Sequence, residues 1–179
     1  MLNDTYAKIQ EYTAYINALA YRDSLTGIKN TTAYTEAIKK INQEINCGNP
    51  QFGVVVVDIN NLKRTNDRFG HYVGDELIVH SAKILRETFK TSTVYRIGGD
   101  EFAVILTGKD YDNYTTALER IDKACAKEFV ATSEGEIPVD MARGVALFDP
   151  TIDTVCRDVF KKADRAMYTH KELSKAPAL

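Results

Sequence analysis

The chain lacks several features that would place it in common protein classes. It has only three cysteines, which are far apart and fit no metal-binding spacing, so reduced thiols in a cytoplasmic protein are expected. The formal net charge is −2, which gives no electrostatic reason to bind nucleic acid. No signal peptide and no apolar run near the ~18 residues of a membrane-spanning helix are visible, so direct membrane contact is not expected. A place in the cytoplasmic part of a membrane-anchored sensor stays open.

The composition is otherwise that of a globular protein, because 179 residues with 44% hydrophobic content predict one domain with a normal core. The order of the elements predicted from hydrophobic periodicity indicates an α/β sandwich, with a mostly antiparallel central sheet and helices on both faces. We predict helices over residues 2–20, 31–46, 74–89, 111–129 and 152–172, a strand at 53–58, a hairpin at 93–107 and a strand or hairpin at 137–148.

Residues 96–102, Arg-Ile-Gly-Gly-Asp-Glu-Phe, are the most informative segment of the chain. Two glycines between short apolar runs predict a hairpin with a tight two-residue turn, because glycine adopts positive φ without steric cost. Asp100 and Glu101 follow the glycines at once. Acids at the tip of a hairpin, beside glycines that admit close backbone approach, suit a site for a metal-bound phosphate. Taken alone, the acids fit an ordinary solvated turn better.

A second polar cluster follows the valine-rich segment. Four consecutive valines predict a strand buried on both faces, with Asp58 at its carboxyl end, where ligand sites in α/β sheets tend to lie. A polar loop then carries Lys63, Asn66 and Asp75, and we expect Asp75 in the first turn of the next helix. A single acid at a strand end is often only a helix cap or turn former. This cluster, together with the acidic hairpin, favours a functional site.

The segment at residues 96–102 resembles the signature of GGDEF domains, the diguanylate cyclases. Three further motifs resemble that family in the right order, so the resemblance covers almost the whole chain and is highly specific. They are Asp23-Ser-Leu-Thr-Gly-Ile-Lys-Asn30 as the opening motif, Asp58 to Asp75 as the nucleotide-binding segment, and Ala163-Asp164-Arg165-Ala166-Met167-Tyr168 with Lys171 as the closing helix.

The resemblance implies a fold like the palm domain of polymerases and nucleotide cyclases, with a linker helix over residues 1–20 and a catalytic domain over residues 21–175. It implies condensation of two GTP molecules into cyclic di-GMP and two pyrophosphates, by a homodimer whose subunits each hold one GTP. It also implies an upstream sensor in the full-length protein. The linker helix carries an apolar stripe that either packs on the domain itself or pairs two subunits, and the resemblance favours pairing. The stripe is Leu2, Tyr6, Ile9, Thr13, Ile16 and Ala20.

The resemblance assigns the site residue by residue. Asp58, Asp100 and the backbone carbonyl of Ile59 would hold two Mg²⁺ ions, for which Mn²⁺ can substitute. Lys63, Asp100 and Glu101 would be catalytic, with Lys63 stabilising charge in the transition state. The substrate-binding positions would be Asn66 and Asp75 for guanine, Arg96, Lys171 and Lys175 for the β- and γ-phosphates, and Leu62, Gly98 and Gly99.

Four positions depart from the family pattern. Asn60 stands where many members carry Asp, and little effect is expected because this position is not among the metal ligands. Lys175 replaces a more common Arg, which keeps the charge but loses the bidentate fork. Phe89 and Ser92 occupy the positions of an Arg-x-x-Asp product-binding site, so feedback inhibition by cyclic di-GMP at that surface is not expected. Residues 142–144 are Ala-Arg-Gly where Ser-x-Gly is common, and the sequence alone gives no consequence for this change.

Two other functions stay open. A catalytically silent module that binds GTP or a partner protein would usually have lost a signature acid or glycine, whereas this chain keeps them. An enzyme of the same fold that makes another cyclic dinucleotide is disfavoured by Asp75. A carboxylate accepts from guanine N1–H and the 2-amino group but meets the adenine N1 lone pair unfavourably.

Overall fold

The central strand of the fold is the valine-rich segment. Strand β1, Gly53–Ile59, is buried along its whole length and pairs in antiparallel fashion with one strand on each side. The resulting four-stranded sheet is antiparallel throughout, in the order β2 (Thr93–Arg96), β3 (Glu101–Leu106), β1 and β6 (Met141–Leu147). Because β-branched valines pack well on a pleated surface that is covered on both faces, the run of four forms this strand. The predicted antiparallel sheet flanked by helices is confirmed.

The computed structural model describes residues 2–48 and 50–175. Its helices are α1 (Leu2–Tyr21), α2 (Thr31–Cys47), α3 (Leu62–Phe69), α4 (His71–Thr88), α5 (Gly108–Asp112), α6 (Tyr114–Cys125) and α7 (Cys156–Lys175). Its other strands are β2 (Thr93–Arg96), β3 (Glu101–Leu106), β4 (Phe129–Thr132), β5 (Gly135–Pro138) and β6 (Met141–Leu147), of which β4 and β5 form a separate hairpin.

The four valines divide between two hydrophobic cores, one on each face of the sheet. Val55 and Val57 pack with residues of α4 and α6, whereas Val54 and Val56 pack with residues of α2 and α7. This division follows from the period of two along a strand, which sends successive side chains to opposite faces. The sheet is therefore fixed from both sides, and so are the positions of Asp58 and Ile59 at the end of β1.

Helix α7 packs closely on edge strand β6 because residue 144 is glycine. A Cβ atom at Gly144 would lie 2.1 Å from the backbone nitrogen of Met167 and 2.2 Å from the carbonyl oxygen of Ala163. No larger residue fits between the strand and the helix backbone. This close approach brings the carboxyl-terminal part of α7, which carries Lys171, to the end of β1.

Several predicted elements differ from the structure, among them the last helix, which begins at Cys156 and not at residue 152. The polar segment after Asp58 contains helix α3, which the sequence pattern hides because only Leu62 and Thr65 of that helix are buried. Helix α4 begins at His71, so Asp75 lies in its second turn and does not complement the dipole at the first. The helix predicted over residues 111–129 ends at Cys125, and the following segment is strand β4.

Helix α1 leaves its apolar stripe open to solvent. Tyr6, Ile9 and Ile16 have exposed fractions of 66%, 57% and 60%. At the other end of the helix, the Tyr21 hydroxyl contacts Glu36 of α2 at 3.0 Å. Packing of the described stripe on the domain itself is therefore contradicted. Among the helices in the described residues, none combines the length and apolar character needed to cross a membrane.

Candidate active site

The register of the sheet brings the two predicted acidic segments together. Asp58 of β1 stands opposite Glu101, the first residue of β3, and the backbone N–H of Ile59 donates to the carbonyl oxygen of Asp100 at 3.0 Å. Asp58 is only 8% exposed. Acids far apart in the sequence thus lie together at one end of the central strands, as the cluster of polar residues predicts.

The turn between β2 and β3, residues 97–100, is wider than predicted. The backbone N–H groups of Ile97 and Gly98 both donate to the carbonyl oxygen of Glu101, at 2.9 and 3.3 Å. Neither Gly98 nor Gly99 has positive φ, so the predicted two-residue turn is wrong. A Cβ at position 98 would lie 2.8 Å from Oε2 of Glu101, so a larger residue there would displace the end of that side chain. Gly99 faces open space.

Four acids create an excess of negative charge at this edge, which we call the acidic pole: Asp58, Asp100, Glu101 and Asp164. Partial burial raises the pKa of Glu101, and the neighbouring charges of Asp100, Asp58 and Asp164 raise it further. Lys171 opposes them, with its Nζ 2.5 Å from Oδ1 of Asp58. One lysine against four carboxylates leaves a pole that attracts further cations.

The donors of the acidic pole suit a hard divalent cation. Among the described residues, no three acidic, histidine or cysteine side chains converge as a preformed metal centre. Mg²⁺ does not require such a cage, because it is usually bound by one or two carboxylates together with substrate phosphates and water. Asp58 and Asp100, with the carbonyl of Ile59 beside them, fit that donor set.

Arg96 holds the turn in place. Its guanidinium donates to the carboxylate of Asp23 at 3.1 and 3.2 Å and to the carbonyl oxygen of Gly99 at 2.8 Å. Although partial burial alone would raise it, hydrogen bonds from Thr26 and Arg96 lower the pKa of Asp23. The predicted phosphate ligand is thus engaged with the opening motif, and its phosphate-binding role stays a prediction.

The predicted guanine-binding residues lie where α3 meets α4. Oδ1 of Asn66 is buried and has no hydrogen-bond partner among the described residues. The side chain rests against Gly74, where a Cβ would lie 1.8 Å from that oxygen. Asp75 follows Gly74 and is exposed. A buried carbonyl oxygen without a partner is costly, so tight packing against Gly74 must hold the Asn66 side chain in this position.

The remaining predicted residues differ in their surroundings. Lys63 is exposed on α3, whereas Leu62 is buried beneath it. The side chain of Lys175 lies outside the described residues. A cleft of about 660 Å³ lies between α1, α2 and β2, and none of the predicted site residues lines it.

Sequence reasoning missed the roles of Asp164 and Asp23. Asp164 lies seven positions before Lys171, which is two helical turns, so the spacing places both on one face of α7. That spacing was the available signal. The partnership of Asp23 with Arg96 joins residues 73 positions apart and leaves no local pattern.

Comparison with known proteins agrees with this arrangement. The family model described as "Diguanylate cyclase, GGDEF domain" matches residues 20–176. The chain belongs to the GGDEF domain family.

Among curated GGDEF relatives, the probable diguanylate cyclase DgcC of Escherichia coli K12 is 31% identical over 171 residues, covering 94% of this chain and 45% of the relative. The diguanylate cyclase TpbB of Pseudomonas aeruginosa is 30% identical over 179 residues, covering 95% of this chain and 39% of that protein. The chain therefore spans less than half the length of these relatives.

Solved GGDEF structures share the fold. The coiled coil and GGDEF domain of DgcB from Caulobacter crescentus, solved in complex with cyclic di-GMP, superposes with a TM-score of 0.80 at 25% identity. The alignment covers 96% of this chain and 92% of that one. The central antiparallel sheet with flanking helices is thus the palm-like fold of nucleotide cyclases.

Proposed function

We propose that this GGDEF domain is a diguanylate cyclase that condenses two GTP molecules into cyclic di-GMP and two pyrophosphates. The observation that carries the proposal is the pairing of the two acidic segments: Asp58 stands opposite Glu101, and Ile59 is bonded to Asp100. Each domain holds one GTP, so two subunits facing each other complete the reaction. Each 3′-hydroxyl attacks the α-phosphate of the other nucleotide, and the bond from that phosphorus to pyrophosphate breaks.

The acidic pole positions the reacting phosphates through metal ions. Asp58, Asp100 and the carbonyl of Ile59 would hold two Mg²⁺ ions, or Mn²⁺ in their place. When bound, such ions would neutralise phosphate charge and make the attacking 3′-oxygen a better nucleophile. Lys63 stabilises charge that develops in the transition state. Glu101 follows Asp100 and has a raised pKa, and we assign it a catalytic or metal-proximal role.

Guanine recognition is assigned to Asn66 and Asp75. The carboxylate of Asp75 accepts from guanine N1–H and the 2-amino group, while the amide of Asn66 pairs with O6 or N3. O6 and N3 are acceptors, so the amide nitrogen of Asn66 would donate in this contact, and packing of the amide oxygen against Gly74 supports the assignment by fixing the side chain. Lys171 is assigned to the β- and γ-phosphates, with Lys175 beside it on α7, and Leu62, Gly98 and Gly99 line the substrate.

The assembly proposed is a homodimer in which residues 1–20 form the linker helix and residues 21–175 the catalytic domain. Exposed Tyr6, Ile9 and Ile16 support pairing of the linker helices of two subunits. An upstream sensor in the full-length protein and a cytoplasmic site of action belong to the same proposal.

The competing function is a catalytically silent module that binds GTP or a partner. The test is incubation of the purified domain with GTP and Mg²⁺ at several protein concentrations, with the products separated by mass. Cyclic di-GMP formed at a rate that rises faster than linearly with protein concentration supports the two-subunit cyclase. Binding of GTP without product at the highest concentration supports the silent module.

Replacement of Gly74 by alanine is expected to weaken GTP binding roughly tenfold, because the added methyl group displaces the Asn66 amide from its position. Calorimetric titration with GTP and Mg²⁺ measures the change. The control is the same replacement in an Asn66→Ala background, where little further loss is expected because the contact is gone. A full loss in that background as well would show that Gly74 does not act through Asn66.

Cyclic di-GMP is expected to leave the maximal rate unchanged. Phe89 is buried at the end of α4, and Ser92 bonds Asp110 and Thr107, so neither presents a charge to a nucleotide. The coupling of about 5- to 150-fold typical of allosteric sites should be absent. Initial rates measured against product concentration test this. Inhibition that saturating GTP relieves reflects the active site, whereas inhibition that persists would contradict the prediction.

A further inference from the structure

The loop that leaves β1 is held by hydrogen bonds on two sides. On one side Ile59 N–H donates to Asp100, as described above. On the other side the backbone N–H of Asn60 donates to the carbonyl oxygen of Asp140 at 2.9 Å. The Asn60 side chain repeats this contact, since its Nδ2 donates to Oδ2 of Asp140 at 2.9 Å. Asp140, just before β6, therefore binds Asn60 twice.

The next residue in the loop has an unfavourable backbone conformation. Asn61 has φ 60° and ψ 16°, and it is the only non-glycine residue with positive φ in the described part of the chain. Such a conformation persists where the surrounding structure holds it, and it occurs often at ligand sites. The double contact between Asn60 and Asp140 supplies a restraint directly beside it.

Asn60 and Asp140 also line two cavities. With Asn61 they line a cavity of about 60 Å³ whose other lining residues are Lys171 and Ser174 of α7. The same three residues line a second cleft of about 240 Å³. The smaller cavity contains the lysine that contacts Asp58, so the loop borders the region assigned to the phosphates.

The chemistry of the contact requires an amide facing a carboxylate. If both positions carried carboxylates, the two groups would repel at this distance and neither would donate a hydrogen bond. Asn60, which stands where many family members carry Asp, is therefore matched to Asp140 in this chain. The expectation that the Asn60 departure has little effect took no account of this partner.

We infer that Asp140 is a positioning residue for nucleotide binding, which acts through Asn60 on the loop between β1 and α3. The inference rests on the proposed function, since it concerns the same site. Asp140 bonds to Asn60, which lies between Ile59 and Asn61, so its effect passes through the geometry of those two residues.

Three variants test this pair: Asn60→Asp, Asp140→Asn and the double swap. Asn60→Asp is expected to raise the KM for GTP about tenfold with a smaller change in kcat, because loop geometry is lost. Asp140→Asn keeps an acceptor oxygen and should change KM by only about twofold. In the double swap the carboxylate at position 60 accepts from the amide at position 140, so KM should return to near the wild-type value. Additive defects in the double swap would overturn the inference.

The matched control is Asn113→Asp. It adds the same charge and removes the same kind of contact, since Nδ2 of Asn113 donates to the carbonyl oxygen of Lys109 at 2.9 Å. Its KM should stay at the wild-type value. GTP affinity is measured in parallel by calorimetry with Mg²⁺, so that absence of cyclic di-GMP from wild-type protein defeats the proposed function while the swap is still judged by binding. A wild-type protein without GTP affinity would overturn both.

Discussion

Replacement of Gly144 by alanine is expected to lower the free energy of unfolding by about 3 kcal/mol. The added methyl group would overlap backbone atoms of Met167 and Ala163, which cannot rotate away as a flexible side chain can. Relief requires α7 to move off β6, and this opens the core that contains Val54 and Val56. For a domain of this size the melting temperature should fall by roughly 10 °C.

Thermal unfolding followed by circular dichroism measures this fall. Gly48→Ala is the matched control, because Gly48 has no atom within 4 Å of a built Cβ and its φ is in the extended region. That variant should unfold near the wild-type temperature. An unchanged melting temperature for Gly144→Ala would show that α7 can shift without loss of packing.

Because α7 also carries Lys171, the destabilised variant should bind GTP less tightly as well.

The sequence predicted the sheet because the signal for β1 is local. Four β-branched residues in a row, bounded by polar segments, leave little choice but a strand covered on both faces. The same holds for the adjoining acids, since Asp58 lies next to the last residue of that strand and Asp100 lies in the neighbouring turn. The positions of Asp58 and Glu101 opposite each other then follow from antiparallel pairing.

What the sequence did not predict depends on contacts between distant segments. The sequence predicts a loop where α3 lies, because the exposed face of that helix is polar and few of its residues are buried. The sequence predicts positive φ at the turn glycines, but neither has it; instead the folded turn brings the end of the Glu101 side chain within 2.8 Å of a Cβ built at Gly98. The need for glycine at position 144 arises only from the packing of α7 on β6, which the sequence does not show.

The candidate site shows the same division. The identities of its acids and of Asn66 follow from the motifs, but their partners do not. Arg96 pairs with Asp23, and Asn60 pairs with Asp140 across 80 positions of sequence. Hydrogen bonds of this kind are set by tertiary packing, so a single sequence contains no periodic signal for them.

Asp58→Asn and Asp100→Asn are each expected to reduce cyclic di-GMP synthesis by roughly 10³-fold. Both substitutions keep the size of the side chain and remove one negative charge from the acidic pole. At position 100 the backbone carbonyl that accepts from Ile59 is retained, so the turn should keep its geometry. The loss is therefore expected in the chemistry and in metal-dependent binding, and not in the fold.

The readout besides product formation is the rise in melting temperature with GTP and Mg²⁺ together. A ligand at about 100 times its Kd stabilises the native state by about 2.7 kcal/mol, and the two variants should lose most of the part that depends on Mg²⁺. Asp112→Asn is the matched control, since this exposed acid lies on α5, beyond the opposite end of β3.

The pattern across these variants separates the cyclase from the silent module. In a cyclase, Asp58→Asn and Asp100→Asn abolish product formation while Asp112→Asn leaves it intact, and the melting temperatures without ligand stay close to wild type. In a silent module, the wild type and all three variants form no product, although GTP still raises the melting temperature. Wild-type rates of product formation in either acidic-pole variant would contradict the metal role of that carboxylate, because one charge at this edge would then be dispensable.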